Sequence, residues 1–281
     1  MASVEQYAVF GHPVAHSLSP RIHGWFAAET GQSMTYRPIE APLDGFAAAA
    51  RAFFAEGGRG ANVTVPFKAE ACALADTVTA PAARAGAANT LRREPDGRIS
   101  AFNTDGIGLV RDLTDHLGAT LPGRVVVLLG AGGAAAGVIE PLLAAGVARV
   151  VIGNRTRSRA VALADRFAGC GRVSAEGLEA LPPADILVNA TAASIHGAVP
   201  ELAQGLVHEA TLAYDMMYAD RPSPFMLACD RRGAWRSADG LGMLIEQAAE
   251  AFFIWRGLRP DTASVRKRLR PHGLARSPEH S

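Results

Sequence analysis

The sequence predicts two α/β domains, and three observations carry that expectation. Short β-rich runs bounded by Gly and Pro alternate with Ala-rich stretches of helical spacing from residue 7 onward, a βαβ rhythm that calls for a sheet covered by helices. A more regular βαβ series begins after Pro122-Gly123, where near-continuous apolar strands imply burial on both faces of a parallel sheet. The 281 residues, 49% hydrophobic and 20% charged, suffice for one large core or two modest ones and exclude a disordered or fibrous chain.

In the first series the strands are expected at 7–10, 35–39 and 61–65. Helix 20–30 opens at Ser19-Pro20, a cap residue followed by Pro at the first helical position, and helix 43–56 closes at Gly57-Gly58. The second series reads strand 124–129, glycine turn, helix 134–145, strand 149–152, helix 158–167, strands 186–189 and 212–216, and a helix at 224–229. Before it, Asp105 stands where it could cap a helix over 106–117. After it, apolar residues at 241, 244, 245, 248, 252 and 255 predict an amphipathic helix that packs back on the first domain. The expected division is therefore 1–105 completed by 240–270, then 106–239, with the polar, Pro-punctuated 271–281 as a mobile tail.

Lys plus Arg number 28 against 27 acids, a formal charge of +1, so there is no electrostatic surplus for nucleic acid or an anionic membrane. The longest uncharged apolar stretch, 125–139, is too short to span a bilayer, and the first residues lack the basic and apolar regions of a secretion signal. Cys72, Cys170 and Cys229 are odd in number and widely spaced, which fits neither a disulfide framework nor a metal site. A reducing cytoplasm is the expected setting, with each Cys a small buried hydrophobe.

The segment Gly130-Ala131-Gly132-Gly133-Ala134-Ala135-Ala136-Gly137, between a strand and a helix, fits the G-x-G-x-x-G/A dinucleotide fingerprint of a Rossmann-type domain. Its glycines permit a tight turn and close approach of a pyrophosphate, and the helix N-terminus supplies amides. After the next strand, Asn154-Arg155-Thr156-Arg157-Ser158-Arg159 carries three arginines and no carboxylate, which favours the 2′-phosphate of NADP over the ribose hydroxyls of NAD. The alternative is a solvated helix start capped by Thr156 or Ser158. Only Lys68 and Lys267 among the 28 basic residues are lysine. Lys68 stands among small and apolar residues, where an ammonium that can lose its proton differs chemically from a guanidinium that cannot.

Five separated motifs resemble the shikimate dehydrogenases. They are Gly11-His-Pro13-Val-Ala-His16-Ser17-Leu-Ser19-Pro20-Arg-Ile-His23, then Asn62-Val-Thr64-Val-Pro-Phe-Lys68, then Gly86-Ala-Ala-Asn89-Thr90 with Asn103-Thr-Asp105-Gly106. The glycine loop with Asn154-Arg155-Thr156 and the segment Asp239-Gly240-Leu-Gly242-Met-Leu-Ile-Glu-Gln247-Ala248 complete them. The resemblance implies an N-terminal α/β substrate domain and a Rossmann-type NADP domain with the active site in the cleft between them. It further implies NADP-dependent interconversion of 3-dehydroshikimate and shikimate in aromatic biosynthesis, with small-molecule ligands and no metal.

By position, Lys68 and Asp105 resemble the catalytic pair. Ser17, Ser19, Asn62, Thr64, Asn89, Tyr218 and Gln247 resemble the substrate-holding groups. The cofactor contacts carried over are Gly130, Ala131, Gly132, Gly133, Ala134, Asn154, Arg155, Thr156, Arg159, Thr191, Met216 and Gly240. The residue chemistry agrees: a carbonyl accepting hydride needs a proton donor, a carboxylate beside Lys tunes that donor, and a polyhydroxylated substrate needs short neutral hydrogen-bonding groups.

Each position has a plainer reading. Ser17 and Ser19 could cap the helix at Pro20, Asn89 and Asn103 could be turn residues, Gln247 could face solvent, and His16 and His23 read as structural or peripheral hydrogen-bonding groups. Gly24-Trp25, Ala192-Ala193 and the charged turn 219–224 depart from the family pattern, the first pair raising a change of packing beneath the two serines. Two rival functions are a quinate/shikimate dehydrogenase of broader specificity and a non-catalytic shikimate- or quinate-binding paralogue; a third is another Rossmann-type reductase. Both a monomer and a homodimer fit the sequence.

Overall fold

The computed structural model describes residues 4–191, 193 and 197–270. They form two compact units, one of residues up to Gly108 together with Leu244–Leu269, the other of Leu109–Met243 with Arg270.

The first unit begins β1 (Glu5–Gly11), α1 (Ser19–Thr30), β2 (Met34–Glu40), α2 (Phe46–Ala55), β3 (Gly58–Val63) and α3 (Lys68–Leu74). It continues β4 (Thr77–Val78), α4 (Ala80–Ala85), β5 (Thr90–Arg93), β6 (Ile99–Phe102) and the start of α5 (Asp105–Arg111). Its sheet runs β2-β1-β3-β5-β6-β4, with β1 parallel to β2 and β3, and β5 antiparallel to β3 and β6. The β5–β6 hairpin was not expected. Its turn is Glu94-Pro-Asp-Gly97, with Gly97 at φ 89°, a left-handed position that Gly adopts without Cβ strain.

Two predicted boundaries move for visible reasons. Helix α2 starts at Phe46 because Gly45 N–H bonds to Pro42 O at 3.0 Å in a preceding turn. Strand β3 stops at Val63: Thr64 N–H still bonds to Phe10 O at 2.8 Å, but Phe67 N–H then turns back to Thr64 O at 3.0 Å. That turn delivers Lys68 as the first residue of α3. Beneath it Phe67 stacks on Phe46 with centroids 5.0 Å apart, and Phe46 meets Phe10 edge-on at 5.7 Å, so the core of the unit holds the turn.

The second unit contains β7 (Val125–Leu129), α6 (Gly133–Ala144), β8 (Arg149–Gly153), α7 (Arg157–Arg166), β9 (Val173–Glu176), β10 (Ile186–Asn189), β11 (Leu212–Asp215), α8 (Pro224–Asp230) and β12 (Arg236–Asp239). Every strand pairing is parallel and the order is β12-β11-β10-β7-β8-β9. The winding reverses between β7 and β10, and a doubly wound sheet binds its ligand beyond the carboxyl ends of the strands at such a switch point.

The predicted helix 106–117 is α-helical only to Arg111 and continues as a π-helical turn, Asp112–His116, closed by Leu117 N–H on Asp112 O at 2.9 Å. On that turn the buried Asp112 accepts the Tyr214 hydroxyl at 2.7 Å, and the Tyr214 oxygen accepts Met243 N–H at 3.3 Å. Burial, with the Asp112 charge beside it, pushes the Tyr214 phenol well above its ordinary pKa, so it stays a neutral donor. The last elements are α9 (Leu241–Arg256) and α10 (Ala263–Leu269), and residues from 244 onward in α9 belong to the first unit.

Cys229 is fully buried and its thiol is pushed up to about 12 by burial, while Cys72 and Cys170 are only half-buried, which corrects the expectation for those two. The segment 271–281, expected to be a mobile tail, lies outside the described residues.

Candidate active site

Lys68 Nζ donates to Asp105 Oδ2 at 2.5 Å, joining the first residue of α3 to the first residue of α5. The carboxylate is almost enclosed, whereas the lysine side chain keeps 18% of its surface, so its proton can still reach a ligand. Asp105 does not cap its helix: Asn103 Oδ1 accepts Asp105 N–H at 3.1 Å, while Asn103 Nδ2 donates to Ala87 O at 2.9 Å. The Asp105 side chain is thereby free for the lysine.

Asn89 holds the other carboxylate oxygen. Its amide lies 2.8 Å from Asp105 Oδ1, 3.0 Å from Thr104 Oγ1 and 3.2 Å from Gln247 Oε1, three acceptors for two hydrogens, with the charged one nearest. Its own carbonyl accepts Thr104 N–H at 2.8 Å. Gln247 is buried, which overturns the solvent-facing reading: its Oε1 accepts from Asn89 and Thr104, and its Nε2 donates to Leu244 O at 3.0 Å. Asn62 completes the cluster with Nδ2 3.1 Å from both Asn89 O and Thr90 Oγ1. Thr64 is half-buried at the end of β3, four residues before Lys68.

The two serines do not cap α1 in the expected way. Leu18 occupies the N-cap position without a side-chain bond, and Ser17 Oγ accepts Ser19 N–H at 3.2 Å. Trp25 is half-buried between Arg21 and Arg268, whose guanidinium carbons stand 5.2 and 5.5 Å from its ring.

His16 is exposed. His23 is fully buried and stacks on Tyr36 with centroids 4.3 Å apart and planes 9° from parallel, and neither ring nitrogen has a hydrogen-bond partner of ordinary geometry. It is therefore a packing group, the structural one of the two roles expected for it. Burial lowers its pKa to about 3, opposed only weakly by the neighbouring Asn62 side chain. Because the folded pKa lies below the unfolded 6.5, the unfolded chain binds the proton first. Stability conferred by a neutral His23 is therefore present above pH 6.5 and is lost as pH falls toward 3. Urea titrations between pH 7 and pH 4 should show His23→Phe losing markedly less stability on acidification than the parent; identical slopes for the two proteins would refute the assignment.

In the second unit the glycine loop follows β7. Gly130 has φ 110°, and a Cβ there would stand 3.1 Å from Ala190 O, so both conformation and space require glycine. Gly132, at the N-cap of α6, faces open space, and Gly132 and Gly133 are exposed with Ala131 and Ala134 half-buried around them. The first turn of α6 thus presents free amides at the switch point.

At the end of β8, half-buried Asn154 donates to Thr156 O at 2.9 Å. Thr156 sits at the N-cap of α7 but makes no capping bond, so the capping alternative is not realised. Arg155, Arg157 and Arg159 are exposed at that helix start, whose first turn has no acid. Cations at a positive helix end are electrostatically unfavourable on their own and become favourable around an anion.

At the end of β10 the Thr191 hydroxyl donates to Asn189 Oδ1 at 2.7 Å, and Asn189 Nδ2 donates to Asp215 Oδ1 at 3.2 Å. Past β11, Met216 N–H bonds to Asn189 O and Gly240 N–H to Met217 O, both at 3.0 Å; a Cβ on Gly240 would collide with the Met216 carbonyl. Tyr218 is half-buried in this loop, in the second unit. Arg270 holds the next residue: it pairs with both oxygens of Asp239 and donates to Ala219 O at 2.8 Å. Ala192 lies outside the described residues.

The sequence reading missed Tyr36, Thr104, the Asp112–Tyr214 pair and the Arg270–Asp239 pair. Thr104 and Asp239 stood inside motifs already singled out; the pairings themselves join residues far apart in sequence and carried no local signal.

A lysine–carboxylate pair in one α/β unit and an anion-receptive glycine loop at the switch point of a doubly wound sheet in the other define a two-domain nucleotide-dependent oxidoreductase. Family models agree along the chain: the shikimate dehydrogenase substrate binding domain over residues 9–91, shikimate/quinate 5-dehydrogenase over 112–217, and the shikimate 5′-dehydrogenase C-terminal domain over 240–270. The chain is 54% identical to shikimate dehydrogenase (NADP(+)) of Chromohalobacter salexigens over 95% of its length and 98% of that protein. It is 52% identical to that of Thioalkalivibrio sulfidiphilus over 95% and 99%. It superposes with TM-score 0.85 on shikimate 5-dehydrogenase of Thermus thermophilus, solved with NADP(H) and shikimate, at 36% identity over 95% and 99% of the two chains. The chain belongs to the shikimate dehydrogenase family.

Proposed function

We propose that this chain catalyses the reversible, NADPH-dependent reduction of 3-dehydroshikimate to shikimate in aromatic biosynthesis, with Lys68 and Asp105 as the catalytic pair. The Lys68–Asp105 contact at 2.5 Å, its second oxygen held by Asn89, is the observation that carries the reading. In the reducing direction Lys68 gives its proton to the oxygen of the C3 carbonyl as that oxygen gains negative charge. Asp105 keeps the ammonium aimed before transfer. In the oxidising direction the same amine accepts the hydroxyl proton. Ser17, Ser19, Asn62, Thr64, Asn89, Tyr218 and Gln247 hold the carboxylate and hydroxyls.

The second unit fits NADP. The open space at Gly132 and the free amides of α6 suit a pyrophosphate, and the exposed arginines at α7 suit a 2′-phosphate. Gly130, Ala131, Gly132, Gly133 and Ala134 would hold the pyrophosphate, Asn154, Arg155, Thr156 and Arg159 the adenosine phosphate, and Thr191, Met216 and Gly240 the nicotinamide end. When bound, NADPH supplies the hydride. No helix among the described residues is long and apolar enough to cross a membrane. We place the enzyme in the cytoplasm, where its three thiols stay reduced.

Initial rates of nicotinamide absorbance change test the reading. Fast oxidation of shikimate with NADP, weak with NAD or with quinate replacing shikimate, is the expected result. Replacing Arg155 and Arg159 together by Ala should raise KM for NADP roughly 10- to 100-fold and leave the residual NAD rate unchanged, because each arginine contributes a charge-assisted hydrogen bond only to the phosphate. An unaltered KM for NADP would remove the two arginines from the site. No turnover with any pair, while shikimate still raises the melting temperature, would replace the enzyme by a non-catalytic binding protein.

A further inference from the structure

Tyr36 lies in β2, away from every motif singled out in the sequence. It is half-buried, its ring stacked on His23. Its hydroxyl donates to Asn62 Oδ1 at 2.8 Å and interacts with the Ser19 side chain on α1. Burial holds the phenol well above its ordinary pKa, so it remains protonated and able to donate.

This donation decides which way round the Asn62 amide lies. With Oδ1 facing the phenol, the NH2 group faces Asn89 O and Thr90 Oγ1 and gives one hydrogen to each. The flipped amide would set its oxygen against the Asn89 carbonyl and leave the half-buried phenol without its Asn62 acceptor, two unfavourable changes together. Both Asn62 donors are thus engaged within the protein, so the residue bridges Tyr36 to Asn89 and meets a substrate hydroxyl as an acceptor, through the second lone pair of Oδ1. From Asn89 the path continues to Asp105 Oδ1 at 2.8 Å and from Asp105 Oδ2 to Lys68 at 2.5 Å. A hydrogen-bonded path therefore runs from Tyr36 through Asn62 and Asn89 to the lysine, with the Ser19 side chain beside the phenol.

We propose that Tyr36 is a positioning residue for the reaction: by orienting Asn62 and engaging Ser19, its hydroxyl sets the substrate-holding groups of α1 and β3 in register with the Asn89–Asp105–Lys68 array. This rests on the functional reading above. A short rigid path of buried neutral hydrogen bonds transmits orientation because each member has one satisfied arrangement.

The test uses the full-length enzyme with Tyr36→Phe, which keeps the ring and its stacking on His23. Steady-state rates with shikimate and NADP should show kcat/KM for shikimate lowered roughly tenfold, as one buried hydrogen bond predicts, with KM for NADP unchanged. Asn62→Asp keeps the acceptor for Tyr36 but loses both donors. It should show the same selective loss, and the double variant should lose less than the product of the two single effects. Should Tyr36→Phe not fold, Tyr36→His, which keeps an aromatic ring against His23 but moves its donor, decides by the same selectivity. An unchanged kcat/KM for shikimate overturns the proposal, as does an equal deterioration toward both substrates, which is what a general structural role produces. A parent enzyme inactive on shikimate overturns the functional reading as well, whereas an active parent with indifferent variants overturns this proposal alone.

Discussion

Lys68→Ala lowers kcat for shikimate oxidation by roughly 10²- to 10⁴-fold with KM for shikimate changed little, the range expected on removing a proton-transfer group that acts mainly in the transition state. Lys68 is the first residue of α3, and among the described residues its Nζ hydrogen-bonds to the Asp105 carboxylate. Its loss therefore leaves the helix and the surrounding core cluster intact, and circular dichroism should be unchanged. Lys68→Arg restores little: the guanidinium keeps the charge and the ion pair but does not release a proton near neutral pH. A Lys68→Arg enzyme as fast as the parent would mean that the residue contributes charge alone.

Asp105→Asn is expected to be nearly as severe, lowering kcat on the order of 10²-fold. The change keeps the size of the side chain but removes the negative charge that orients Lys68. It also places an amide where Asn89 now donates at 2.8 Å, so either the Asn89 or the Lys68 contact meets a donor instead of an acceptor. Stability should fall as well, by less than the roughly 3 to 5 kcal/mol of a fully buried broken pair, since the Lys68 side chain retains 18% exposure and partial hydration. Stopped-flow rates and denaturant unfolding on the same preparation separate the two effects. Parent-like turnover in Asp105→Asn, whatever its stability, would take the carboxylate out of the mechanism.

Most of the scaffold was legible because its signals are local. Apolar runs with a period of two or none, helices opening at Ser19-Pro20, and the glycines of 130–133 each depend on residues a few positions apart, and the parallel sheet of the second unit follows from them. The β5–β6 hairpin and the π-helical turn at 112–116 were not. The Pro-Asp-Gly signal of the hairpin was present but sat between short strands, and a π turn is indistinguishable from an α-helix by composition.

The candidate site divides the same way. Lys68, Asp105, Asn89, Asn62 and Gln247 could be nominated from residue type and from the resemblance of their motifs, because the chemistry of hydride acceptance demands a proton donor, a carboxylate and neutral polar groups. Which atom meets which was decided only by the fold. The two oxygens of Asp105 are divided between Lys68 and Asn89, residues 37 and 16 positions away, and Gln247 reaches Asn89 across 158 positions. The choice of Asn103 as the acceptor for Asp105 N–H, and of Tyr36 as the donor to Asn62 across 26 positions, likewise arises where α1, β2, β3 and α5 come together. Sequence patterns report backbone preference and burial, which are short-range; the direction of a hydrogen bond between distant side chains exists only once the tertiary structure has brought donor and acceptor within 3 Å of one another.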